Sequence, residues 1–241
     1  MAVSPPQTAL AKPDLLPSAV ADLLRERIIG GALEPGARLV EASLAEQLDV
    51  SRGSIRDGLK LLGDEGLVLN LARRGTYVAD LTPSDVREVY DVRAALEMLA
   101  VRLLVESGPP PRSFPTLRET LAQIERSVAE GDAHRAFDLD LAFHTELYRL
   151  SGNTRLLGTF LRLLPMIRLV LRSRHELFPT LGDVLREHGP LLEAIEIGTT
   201  AAAETAADQH LAYARDLLVQ HISDVRAARS RDAAAAQNGA R

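Results

Sequence analysis

The stretch from Ser43 to Val78 constrains this 241-residue chain more than any other, because several short elements follow one another there with almost no loop between them. Ser43 stands three residues before Glu46, the spacing of a capping box, so a short helix is expected to start there and run through Leu44-Ala45-Glu46-Gln47-Leu48. Asp49 follows where a left-handed residue would end that helix, a conformation Asp tolerates better than most. Ser51 is placed to cap a second helix running to about Leu62, with Ile55, Leu59 and Leu62 as its buried stripe. After Asp64-Glu65-Gly66, the runs Leu67-Val68-Leu69 and Thr76-Tyr77-Val78 read as two strands joined by Ala72-Arg73-Arg74-Gly75. Upstream, Val20, Leu23, Leu24 and Ile28 recur at helical spacing up to Gly30-Gly31, and Leu33-Glu34-Pro35-Gly36 is a turn.

Helix, helix, tight turn, helix, hairpin is the order of a winged helix-turn-helix, expected over 17–80. From Thr82 the pattern is helical throughout, opened by the start signal Thr82-Pro83-Ser84-Asp85. Breaks at 108–111, 131–132, 151–153, 179–182 and 198–200 divide it into about six helices, with Pro165 inside one. The expected fold is therefore mainly α: an N-terminal winged helix-turn-helix and a C-terminal all-α bundle over 81–228. Residues 1–16, with Pro5, Pro6 and Pro13, and residues 229–241 are expected to be flexible tails.

Composition removes several function classes. There is no cysteine, which excludes disulfides and thiolate metal sites. No signal-peptide run or membrane-length apolar stretch is present, so a cytoplasmic protein without a membrane partner is expected. The net charge of −5 argues against a chain coated in nucleic acid but not against a local basic face. Such a face is expected on the third helix, where Arg52, Arg56 and Lys60 are four residues apart, and at the hairpin tip with Arg73 and Arg74. Arginine can bridge guanine edges or clamp phosphate, and Ser51 with the helix-start amides can take a phosphate oxygen. Any one of these arginines alone could equally be a solvated surface residue.

A second constellation lies in the helical half. Asp140 and His144 are four residues apart on one helix, while His188 and His210 each lie 11 residues from Thr199, the centre of a helical hairpin turn. Equal distance from the turn puts those two side by side. One carboxylate and three imidazoles suit zinc first, and also nickel, iron or manganese. The competing reading makes each histidine a surface residue and pairs Asp140 with Arg135. His134, His175 and His221 are expected on the surface, although His221 is in phase with His210.

Residues 20–79 resemble the GntR family of bacterial regulators. The resemblance rests on Pro35-Gly36, Leu44-Ala45-Glu46-Gln47-Leu48-Asp49-Val50-Ser51-Arg52, Ile55-Arg56-Asp57-Gly58-Leu59, Glu65-Gly66-Leu67-Val68 and Arg73-Arg74-Gly75-Thr76-Tyr77-Val78. It implies that Ser51, Arg52, Gly53, Ser54 and Arg56 contact the major groove and that Arg74 and Gly75 enter the minor groove. Three departures stand out: Asp57-Gly58 for the usual Glu-Ala, Asp49 for Gly, and Gly53-Ser54 for Thr-Pro or Thr-Thr. Gly58 is expected to cost its helix roughly 1 kcal/mol against Ala.

Residues 82–228 resemble the FCD effector domain of the FadR-type branch, through Val89-Tyr90-Asp91-Val92-Arg93-Ala94-Ala95-Leu96-Glu97, Asp140-Leu141-Ala142-Phe143-His144, Ser151-Gly152-Asn153, Glu187-His188 and Gln209-His210-Leu211. The resemblance implies a divalent metal held by Asp140, His144, His188 and His210. Gly198-Thr199 replaces the usual Gly-Asp, which alters a cap and not a ligand. Arg93 is implied as the clamp for a carboxylate effector, its bland alternative being a helix pair with Glu97. Arg168 and Arg172 are further arginines on the kinked helix. The whole reads as a homodimeric repressor on operator DNA, responsive to a small carboxylate. The alternatives are a regulator for which metal is the signal, or a metal-dependent enzyme, against which stands the lack of any recognisable catalytic group.

Overall fold

The computed structural model describes residues 17–108, 113–172, 188–197 and 199–239. The chain divides into two units, Met1–Asp80 and Leu81–Arg241. The tail 1–16, the break at 179–182, His175, Glu187, Gly198 and the side chain of Arg172 lie outside the described residues.

The first unit comprises α1 (Pro17–Ile29), β1 (Arg38–Leu39), α2 (Glu41–Leu48), α3 (Arg52–Asp64), β2 (Val68–Leu71) and β3 (Gly75–Val78). Its core is built from Val20, Leu24 and Ile28 of α1 against Ile55, Leu59 and Leu62 of α3, all buried. Leu23, expected with them, is half-exposed. Asp49 ends α2 at φ 53°, and Ser51 Oγ accepts the Ser54 N–H at 3.0 Å, so both local signals act as anticipated. The start of α2 differs. The helix begins at Glu41 with Val40 as N-cap, and Ser43 Oγ accepts from Gln47 instead of capping. A carboxylate at the first position suits the positive helix end, which favours the earlier start. The sheet also has a third strand that the sequence pattern did not reveal: β1 pairs antiparallel with β3, Arg38 opposite Tyr77, giving the order β1-β3-β2.

Gly58 has a steric reason. A β-carbon there would stand 2.9 Å from Val20 Cγ1 and 3.2 Å from the Pro17 carbonyl oxygen. The glycine lets α1 and α3 approach closely, a benefit set against its poor helix propensity.

The second unit contains α4 (Pro83–Glu106), α5 (Pro115–Glu130), α6 (Ala133–Leu150), α7 (Thr154–Arg172), α8 (His188–Ile197) and α9 (Thr200–Gly239). Thr82 and Asp85 close a reciprocal capping box at the head of α4. Gly131 ends α5 at φ 74°, Asp132 caps α6, and Asn153 Oδ1 accepts two amides of α7. Thr199 Oγ1 accepts the Ala202 N–H, so the threonine still caps α9. That last helix continues to Gly239, where a tail from 229 was expected; Ala233–Ala236, the best helix-forming residue type, carry it on. The long helices α4 and α9 pack along each other, and the core between helices holds Leu104, Phe143, Leu147 and Phe160. Tyr148 stacks on Phe160 with ring centroids 4.1 Å apart.

Candidate functional sites: a buried metal centre and a basic recognition helix

Three helices deliver the ligands of one centre. Positions 140 and 144 lie one helical turn apart on α6, α8 supplies His188 from its first residue, and α9 supplies His210. All four ligand atoms lie within 4.8 Å of one another and all four residues are buried. His188 Nε2 is 3.0 Å from Asp140 Oδ1 and 3.2 Å from His144 Nε2. His144 Nε2 is 3.4 Å from His210 Nε2 and 3.8 Å from Asp140 Oδ1. Phe143 braces the His188 ring edge-on at 4.9 Å.

The donor chemistry fits a cation. Three imidazole nitrogens face each other, and a ring nitrogen offers either one proton or one lone pair, so they cannot all satisfy one another. Donors about 2.0–2.2 Å from a common ion stand about 3.0–3.6 Å apart, matching most of these separations. Electrostatics prepares the ligands. Burial holds His144 below the ordinary imidazole range despite Glu97, and burial beside the other two rings holds His210 further below it. Burial alone would raise Asp140, but the His188 hydrogen bond and the neighbouring imidazoles keep its carboxyl below the usual range. Neutral rings and an ionised carboxylate are the metal-ready states.

Behind the centre lies a group that the sequence reading treated only as a helix partner of Arg93. Glu97 Oε1 is 2.8 Å from His144 Nδ1, and its Oε2 is 3.7 Å from Arg93 Nε. The i, i+4 spacing from Arg93 was a usable signal: if one faces the interior, so does the other. Arg93 is 2% exposed; its Nη1 is 3.5 Å from Tyr90 Oη, while Nε and Nη2 have no hydrogen-bond partner among the described residues. Beside His210 a cavity of about 300 Å³ is lined by Pro190, Leu191, Ala206, Gln209, His210 and Tyr213.

The other residues fall elsewhere. Arg135 is exposed while Asp140 is buried, and no ion pair joins the two among the described residues. His134 is exposed beside Asp138. His221, expected on the surface, is buried, yet the ligand cluster is completed by His210. Arg168 lies 3.9 Å from Asp138.

In the first unit, Arg52, Gly53, Arg56 and Lys60 are exposed along α3, and Arg73 and Arg74 at the β2–β3 turn. Ser51 is exposed as the cap of α3. Ser54 is buried, its hydroxyl 2.9 Å from Ser51 Oγ, so in this structure it supports the cap of α3. Two of the cations carry acids of their own: Arg56 holds Glu41, and Lys60 Nζ is 2.8 Å from Asp57. At the turn, Arg73 adopts φ 64° and Gly75 φ 105°.

Residues 16–78 match the model of the bacterial regulatory proteins, gntR family, and residues 88–213 match the FCD domain. A gluconate operon transcriptional repressor of Bacillus licheniformis is 31% identical over 182 residues, 73% of this chain and 74% of that protein. The HTH-type transcriptional regulator YdhC of Bacillus subtilis is 29% identical, over 75% of this chain and 81% of its own. A GntR transcriptional regulator from Rhodococcus sp. RHA1 superimposes with a TM-score of 0.70 at 27% identity, covering 85% of this chain and 97% of that structure. Among the described residues no helix is long and apolar enough to cross a membrane. The chain belongs to the GntR family of DNA-binding transcriptional regulators, not to an enzyme family, and its C-terminal half is an FCD domain.

Proposed function

We propose that this chain is a homodimeric, cytoplasmic repressor whose grip on operator DNA is set by a small carboxylate bound beside a divalent metal, zinc first among the candidates. The observation that carries the sensing half is the convergence of Asp140, His144, His188 and His210 on one buried point. A bound ion would offer a positive centre and open coordination positions to an anion. Arg93 would orient that anion with its planar guanidinium, whose Nη2 has no hydrogen-bond partner among the described residues.

For DNA, the exposed row Arg52, Arg56 and Lys60 would enter the major groove, with Ser51 and the amide of Gly53 at a phosphate and Arg73, Arg74 and Gly75 in the minor groove. Ser54 supports the Ser51 cap in this reading. Exposed Val92 and Leu99 on α4 and Leu161 on α7, two helices that pack together, support pairing with a second copy. The name of the gluconate repressor relative supports repression.

The test is to select duplexes from genomic fragments with the full chain. Binding is then measured by anisotropy with zinc and a panel of mono-, di- and tricarboxylates. One carboxylate should weaken operator binding, and operator should weaken that carboxylate's binding by the same factor. Equal effector affinity with and without DNA overturns the mechanism. Near-complete burial of all four ligands favours one second reading, in which the metal itself is the signal. Operator binding that responds to zinc alone and to no carboxylate would select it.

A further inference from the structure

We propose that Glu97 is the positioning residue of the metal centre: its carboxylate fixes the ring of His144 from behind and, by also facing Arg93, joins the metal to the buried cation beside it. The inference rests on the metal reading given above and assigns a task to a residue outside the ligand set.

Geometry decides between this role and a simple helix pair. Were Glu97 present only to neutralise Arg93, its carboxylate would close on the guanidinium, which has two donors to spare. It approaches His144 instead: 2.8 Å to Nδ1, against 3.7 Å to Arg93 Nε. His144 and Glu97 are both 0% exposed, so the contact is shielded from bulk solvent. The Nε2 of His144 faces His188, His210 and Asp140. A neutral imidazole has one proton, so a ring that gives Nε2 to a metal carries it on Nδ1, the atom that Glu97 Oε1 faces at 2.8 Å. The carboxylate thereby selects the tautomer, locks the ring plane and raises the basicity of the nitrogen at the metal.

The Glu97 carboxylate faces His144, the ring whose Nε2 is the shared neighbour of both other imidazoles. Burying a carboxylate is costly unless it is compensated, and Arg93 Nε is close enough to compensate it while Nη2, with no hydrogen-bond partner among the described residues, is kept for an anion. One buried side chain therefore touches both halves of the sensor.

The test uses the full chain with zinc alone, competed against a chromophoric chelator. Glu97→Ala should weaken zinc binding on the order of 10–100-fold. Glu97→Gln, whose amide oxygen can still accept the Nδ1 proton but carries no charge, should fall between it and the wild type. Exposed His134→Ala should leave affinity unchanged. As a readout that mere packing would not move, spectra of nitrogen-15 histidine in zinc-loaded wild type should show His144 protonated at Nδ1 and slow to exchange. That spectrum decides alone if the variants fail to fold. Zinc affinity unchanged in folded Glu97→Ala, or a His144 proton on Nε2, overturns the proposal while the metal reading stands. A wild type that binds no zinc overturns both.

Discussion

Both oxygens of Glu41 hold the guanidinium of Arg56, Oε2 to Nη2 at 2.9 Å and Oε1 to Nε at 3.3 Å, tying the first residue of α2 to the exposed face of α3. The pair sits in solvent, so it adds little to stability. On the proposed reading, the pair aims the arginine and masks its charge until a phosphate or a guanine competes for it. Arg56→Ala and Arg52→Ala are expected to weaken operator binding by roughly tenfold to a hundredfold, read by anisotropy. Glu41→Gln should strengthen binding to nonspecific duplex and steepen its salt dependence, because one more cation becomes available. An unchanged salt slope in Glu41→Gln would mean that Arg56 does not approach DNA.

The turn between β2 and β3 holds an arginine where glycine would be easier. Arg73 at φ 64° carries a left-handed backbone costing about 1 kcal/mol for a residue with a β-carbon. Arg73→Gly should therefore raise the Tm of the protein slightly while lowering DNA affinity. A fall in both would mean that the arginine stabilises the turn by contacts of its own.

Gly58→Ala tests the packing of α1 on α3. Helix propensity favours alanine by about 1 kcal/mol, while overpacking a core typically costs about 1–3 kcal/mol. With Val20 Cγ1 at 2.9 Å and a backbone oxygen at 3.2 Å, the crowding is expected to win and Tm to drop. Val20→Ala in the same chain should relieve part of the crowding, because it removes the 2.9 Å contact but leaves the Pro17 carbonyl oxygen and the Val20 β-carbon at 3.2 Å.

Acid should loosen the second unit. In the metal-free protein, burial holds His144 and His210 below the ordinary imidazole range. Unfolded, they take up protons near pH 6.5. Below that pH the unfolded state binds more protons than the folded one, so stability falls as pH falls. Asp140, held below its ordinary range, adds a further loss at still lower pH. After chelator treatment, Tm should be lower at about pH 5.5 than at about pH 7.5, and zinc should widen the gap because it needs the same neutral rings. A Tm that does not change over this range would contradict the assignment.

What was legible in the sequence was local or symmetric. Ser51, Asp49 and the Thr82–Asp85 box act within three residues, and the chemistry of a cap leaves few alternatives. His188 and His210 were paired by their equal distance from Thr199, which depends only on a hairpin closing, and their ring centroids lie 4.3 Å apart. What was not legible depends on how helices are rotated against one another. The reach of Glu97 to His144 needs α4 and α6 in one particular register, and the burial of His221 depends on the face α9 turns inward. Likewise β1 is two residues long, too short to carry a pattern, and exists because Arg38 and Leu39 meet β3. The spacing of Ser43 and Glu46 does not start a helix here, because a capping-box spacing recurs by chance and Glu41 begins the helix before it.

The most direct test of the account is metal analysis of untagged protein, wild type beside the double variant His144→Ala/His188→Ala. The account predicts a single divalent ion per wild-type chain and none in the variant. Wild type that holds no ion even after incubation with zinc or nickel would contradict it, leaving a DNA-binding regulator whose effector is recognised by other means.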